Sequence, residues 1–124
     1  MGLAMIKQGC QNRYRPSELA DVLESAATNL EEHGWTRIWS GNPDDGWDVI
    51  EALMQTARVS TQANRATAAL KAQIDRDYGC RALTRWNYRQ RDRRKVVRLM
   101  RRTARNLRNH DLRRVSDYSF TFDN

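Results

Sequence analysis

Arg94, Arg98, Arg101, Arg105 and Arg108 recur at steps of three, four and seven residues, the spacing that stacks side chains along one side of a helix. A guanidinium group is permanently charged, planar and fork-shaped, matched to the paired oxygens of a phosphate or a carboxylate. Just upstream stand Trp86 and Tyr88, aromatic rings of the kind that stack on nucleobases. Counted at 100° per residue, Val96, Leu99, Met100, Thr103, Ala104 and Leu107 share one arc, and the arginines, with Arg102, fill the arc opposite. The only acid between Gln90 and Asn109 is Asp92, so local self-repulsion is uncompensated.

Two readings of this face stand open. In one, six to eight arginines lie along the phosphates of a nucleic acid, giving an affinity that falls about a thousandfold or more between roughly 50 and 200 mM salt. In the other, the arginines fill the solvated side of a packed helix and pair with carboxylates from elsewhere in the chain. The charge distribution permits both. The net charge is +7; residues 1–80 carry 8 Lys or Arg against 11 Asp or Glu, −3, and residues 81–124 carry 14 against 4, +10. No helix-turn-helix, zinc-finger or RNP signature supports sequence-specific reading.

The residue types that usually carry catalysis are present without their spacing. There is no GxSxG elbow, no GxxxxGK[ST] loop and no HExxH pair. Glu31, Glu32 and His33 sit together where a helix ends, a place for coupling to the helix dipole rather than for an acid and base in a cleft. Cys10, Cys80, His33 and His110 are scattered, and Asp44, Asp45 and Asp48 lack the alternating ligands and distal Glu of an EF-hand. The expectation is a non-enzymatic protein without metal or cofactor.

The elements that position the arginines follow from periodicity. Leu19, Val22, Leu23, Ala26, Ala27 and Leu30 mark a helix from Ser17 that stops at Gly34. Trp35 to Asp48 reads as a loop around Ser40-Gly41-Asn42-Pro43, flanked by Trp35, Trp39 and Trp47 as core anchors. A second helix spans about Trp47–Arg58. A third, capped by Ser60 or Thr61 and rich in alanine, continues to Gly79, its small residues suiting close approach inside the bundle or against a second copy. Asp92 caps the arginine helix. Tyr118, Phe120 and Phe122 alternate with hydroxyl residues in a tail, residues 115–124, that offers a short strand or a docking segment.

No apolar run approaches the roughly 18 to 20 residues a membrane span needs, and the start lacks a secretory h-region. The expectation is therefore a cytoplasmic location with no membrane partner. The fold expected is all-α, one domain over residues 1–124, with about four helices, a loose N-terminus at 1–15 and an extended aromatic tail.

The succession His33-Gly34-Trp35, Ala52-Leu53, Leu83-Thr84-Arg85-Trp86-Asn87 and Val96-Val97-Arg98-Leu99 resembles an uncharacterised family of small actinobacterial and actinobacteriophage proteins, over about residues 17–107. Tyr88 stands where that family carries an acid, Arg93-Arg94 where it has Arg-Thr, and no Cys precedes Ala52-Leu53. The resemblance implies an actinobacterial or phage origin, in the latter case a place in the host cytoplasm, and supplies no catalytic residues. By analogy it raises the expectation of a binding role. The partner expected is nucleic acid, held by Arg94, Arg98, Arg101, Arg105 and Arg108 with Trp86 or Tyr88 stacking. The alternative is an acidic host protein, modulated or inhibited through the same face or through Tyr118, Phe120 and Phe122.

Overall fold

Proline at the first position of a helix loses no hydrogen bond, because that N–H has no partner within the helix in any case. Pro16 takes this place in α1 (Pro16–His33), one residue earlier than the periodicity from Ser17 suggests. Arg15 is the cap residue, and its backbone N–H donates to the Glu18 carboxylate at 2.9 Å. The computed structural model describes residues 15–37, 44, 46–80 and 82–109. Trp39, Cys10, His110 and the tail residues Tyr118, Phe120 and Phe122 lie outside these.

Among the described residues there are five helices and no strand: α1, α2 (Val49–Thr56), α3 (Ser60–Tyr78), α4 (Leu83–Arg89) and α5 (Arg93–Arg108). The all-α expectation holds, with one more helix than expected. The addition is α4, whose seven residues are too few for an apolar repeat to be recognised. α2 is shorter than the Trp47–Arg58 span, because Asp48 caps it by accepting from the Glu51 N–H at 2.7 Å, and Ala57 turns extended after Thr56. α3 is capped by Val59 rather than by Ser60 or Thr61. The Gln62 side chain accepts from the Arg58 N–H at 2.9 Å instead, closing the turn just before the helix.

The core is built where the apolar stripes meet. Leu19, Leu23 and Leu30 of α1, Leu53 of α2, Leu70 and Ile74 of α3, and Leu99, Met100 and Leu107 of α5 are all fully buried. α1 and α5 form the most extensive pair, and α3 touches each of the other four helices. Ala63, Ala66, Ala68 and Ala69 are buried along α3, so its small residues are used in packing this helix among its neighbours.

The backbone at Gly34–Thr36 crosses that at Gly46–Trp47 through two glycines. Gly34 (φ 92°) ends α1, its N–H donating to the Leu30 carbonyl, and Gly46 (φ 95°) precedes Trp47. Thr36 N–H donates to Trp47 O at 3.0 Å and Trp47 N–H to Gly34 O at 3.1 Å, making one isolated parallel bridge. A Cβ on Gly46 would stand 3.0 Å from the Gly34 carbonyl carbon and oxygen, which is why no larger residue fits. Trp35 and Trp47 are half-buried and pack on the core, as expected of anchors.

Candidate polyanion-binding face

Asp92 starts α5 by accepting from the Arg94 N–H at 2.9 Å, which fixes the helical phase of every arginine that follows. Val96, Leu99, Met100, Thr103, Ala104 and Leu107 are buried as the arc predicts, joined by Val97. Counted from Val96, the solvent side then divides into three rows. Arg94, Arg98 and Arg105 lie at about 160° to 200°, directly opposite the core. Arg101 and Arg108 lie at about 120° to 140°, beside α1, and Lys95 and Arg102 at about −100° to −120°, beside the end of α3.

The two flanking rows are committed inside the molecule. Arg101 forks onto Glu31, Nη1 to Oε2 at 3.0 Å and Nη2 to Oε1 at 2.7 Å, and Nη2 also reaches the Thr28 hydroxyl at 3.3 Å. Arg108 bridges Asp21 and Glu24 with its two terminal nitrogens. The seven-residue step from Glu24 to Glu31 thus meets the equal step from Arg101 to Arg108 run in the opposite direction, as antiparallel helices require. Arg93, next along that side, donates to the Glu31 carbonyl at 3.5 Å. On the other flank Arg102 pairs with Asp77 at 3.1 Å, and the Lys95 ammonium lies 5.2 Å from the Tyr78 ring centre.

These contacts leave their mark on protonation. The Arg101 hydrogen bond holds the Glu31 carboxyl below its ordinary value; partial desolvation opposes this, and the charges of Arg101 and Arg93 reinforce it. The Arg94 backbone N–H and then its side chain lower Asp92 in the same way.

The central row is different. Arg94 turns back to its own cap residue, Nε to the Asp92 carboxylate at 3.3 Å, with its side chain 81% exposed. Arg98 and Arg105 are exposed and make no hydrogen bond or ion pair among the described residues, although the charge of Arg98 acts on Asp92. Exposed and equally uncommitted are Arg85 and Arg89 on α4, and Arg91 in the link to α5. Of the five arginines, Arg101 and Arg108 are thus paired with the protein's own carboxylates, and Arg94 is shared with Asp92.

Trp86 and Tyr88 part company. Trp86 is 4% exposed, its ring tilted against Tyr78 at 5.9 Å, so it has no face to offer a base. Tyr88 is 48% exposed, with the Arg37 guanidinium 4.6 Å above its ring centre and Arg37 Nε donating to the Tyr88 carbonyl at 2.6 Å. Of the two rings only Tyr88 is exposed.

The polar residue that sequence reasoning missed is Asn87, 3% exposed. Its Oδ1 accepts from Trp35 Nε1 at 2.8 Å, and its Nδ2 donates to the carbonyls of Arg37 at 2.8 Å and Thr36 at 3.3 Å. Asn87 therefore fastens the segment after α1 to α4, and brings Arg37 beside Tyr88. Its signal in the sequence was only its place in Trp86-Asn87, half of the pattern that carried the resemblance. The other half, Gly34-Trp35, is its hydrogen-bond partner.

The model of a family described as "Family of unknown function (DUF6197)" matches residues 15–106. The chain belongs to this family. No curated protein and no solved structure matches. The DUF6197 region thus takes in α1 to α4 whole and α5 as far as Asn106. Among the described residues of this DUF6197 chain no helix is long and apolar enough to cross a membrane, and no group of three or more His, Cys, Asp or Glu is placed to hold a metal.

Proposed function

We propose that this DUF6197 chain is a non-enzymatic binding protein, of phage or actinobacterial origin, that docks on the phosphates of a nucleic acid in the cytoplasm. The observation that carries the reading is the surplus of cations left after internal pairing. Asp21, Glu24, Glu31, Asp77 and Asp92 are spent on Arg94, Arg101, Arg102 and Arg108, while Arg85, Arg89, Arg91, Arg98 and Arg105 have no ion-pair partner among the described residues. Self-repulsion among exposed arginines costs stability, and a polyanion is the partner that relieves it.

The internal pairs reduce the size of the expected contact. With about five guanidinium groups free, the logarithm of affinity falls with the logarithm of salt at a slope of about −4.5, roughly 500-fold between 50 and 200 mM. Tyr88, beside Arg89, adds an exposed ring on which a single-stranded base can stack. The test is titration of a labelled DNA oligonucleotide with the protein and with its Arg98→Glu/Arg105→Glu variant. A slope smaller by about two, and binding weaker by about a hundredfold at low salt, is expected; unchanged binding removes the reading. Affinity capture from lysate, with and without nuclease, separates it from docking on an acidic protein, since capture that survives nuclease treatment assigns the face to protein.

A further inference from the structure

Arg101 and Arg108 are held, but not sealed. The side chains of Arg101 and Glu31 are 39% and 46% exposed, and those of Arg108, Asp21 and Glu24 are 35%, 72% and 45% exposed. Ion pairs this open are weak, because water screens them and holding two long side chains in one geometry costs entropy. They can exchange partners without disturbing the core, since the packing of α5 is carried by the buried Leu99, Met100, Ala104 and Leu107.

The exchange has a destination. Arg98 and Arg101 are three residues apart, Arg101 and Arg105 four, and Arg105 and Arg108 three, the spacings at which side chains on a helix surface are neighbours. A strand of phosphates lying on Arg98 and Arg105 therefore passes within guanidinium reach of Arg101 and Arg108, which at present face Glu31, Glu24 and Asp21. We propose that these three α1 carboxylates are an internal competitor for the face: they occupy Arg101 and Arg108 in the free protein and yield them to a docked polyphosphate. This deepens the nucleic-acid reading above and rests on it.

The chemistry of the competitor selects the occupant. An acidic protein arriving at Arg101 would trade one carboxylate for another, like for like. A nucleic acid gains by releasing its condensed counterions, a term that carboxylates spaced along α1 do not supply. The α1 acids thus raise the threshold for weak anions and leave the face open to polymers of dense charge.

The experiment follows the salt dependence of binding of a fluorescein-labelled 20-nucleotide single-stranded DNA to the full chain and to its Asp21→Asn/Glu24→Gln/Glu31→Gln variant. Because the docked parent gives up the pairs, its slope should include Arg101 and Arg108, about 0.9 each beyond the roughly −4.5 of the five free groups; the variant should share that slope and bind about tenfold or more tighter near 50 mM salt. A variant with the affinity of the parent overturns the competitor and leaves the nucleic-acid reading standing; absence of binding by both proteins overturns the two together. Binding by the variant alone would show that the carboxylates do not yield, and overturns the exchange. Removing negative charge favours any anion, so Glu31→Gln is compared alone and with Arg101→Ala. The gain belongs to Arg101 and should vanish in the double variant, whereas a gain that persists there overturns the exchange. Circular dichroism checks folding, and Glu31→Gln, expected to tighten binding at the slope of the parent, replaces the triple variant if the latter does not fold.

Discussion

Asn87 satisfies three part-buried polar groups with one amide. Truncation to alanine leaves the Trp35 indole N–H and two carbonyls without this partner, at a cost of about 2 to 3 kcal/mol, since a buried unsatisfied group retains its desolvation penalty. Asn87→Ala should therefore melt about 10 °C lower, as thermal unfolding followed by circular dichroism reports. Asn87→Asp separates the amide's two roles. An aspartate still accepts from Trp35, but it turns a second oxygen toward the Thr36 and Arg37 carbonyls, so it should fare no better than alanine. A loss below about 0.5 kcal/mol in either variant would show that water replaces the amide without penalty.

At the scale of the element, two glycines with positive φ are not equivalent. Gly79 ends α3 in the left-handed conformation (φ 67°) with nothing within 4 Å of where a Cβ would stand, so Gly79→Ala should cost only the conformational term, about 1 kcal/mol. Gly46 adds a backbone collision to its φ of 95°, and Gly46→Ala should cost about 2 kcal/mol or more, read from denaturant midpoints at unchanged m-value. Equal losses would mean that the crossing near Gly34 opens freely. The pairing of α1 with α5 adds a pH dependence. Glu31 and Asp92 have folded-state values below their ordinary ones, so their contribution is complete above those ordinary values, about 4.5 and 3.8. It is lost as pH falls through the lowered values, because the unfolded chain takes up the protons first. Acid titration of the melting temperature should show a steeper fall below about pH 4.5 in the parent chain than in Glu31→Gln. These elements also mark how far the sequence could be read. α1, α3 and α5 carry apolar stripes long enough to set phase and ends to within a residue or two. α4 has no repeat of its own, and the Gly34–Gly46 crossing and Asn87 are invisible to periodicity, since they depend on residues about 10 and 50 positions apart. The arginine row was legible as a pattern. Its division into committed and free members was not, because helix phase alone does not say where α1 and the end of α3 come to lie.

The whole molecule sets short attractive contacts against long repulsive ones, and salt tells them apart by distance. The pairs on α5 have N···O separations near 3 Å, whereas the uncommitted arginines act on one another across about a helical turn or more, roughly 5 to 10 Å. The screening length is about 30 Å at 0.01 M ionic strength, about 8 Å at 0.15 M and about 3 Å at 1 M. Raising salt to 0.15 M therefore weakens the repulsion of a +7 chain while leaving the close pairs largely intact. Only toward 1 M are the pairs themselves screened. The melting temperature should rise between about 10 and 150 mM sodium chloride and level off above it. Arg98→Glu/Arg105→Glu lowers the net charge by four, from +7 to +3, and removes two of the repelling groups, so the rise should shrink in that variant. A melting temperature that instead falls steadily from the lowest salt would show that the pairs with Asp21, Glu24, Glu31 and Asp77 outweigh the repulsion. The cationic surplus would then be too well compensated within the fold to need an external polyanion.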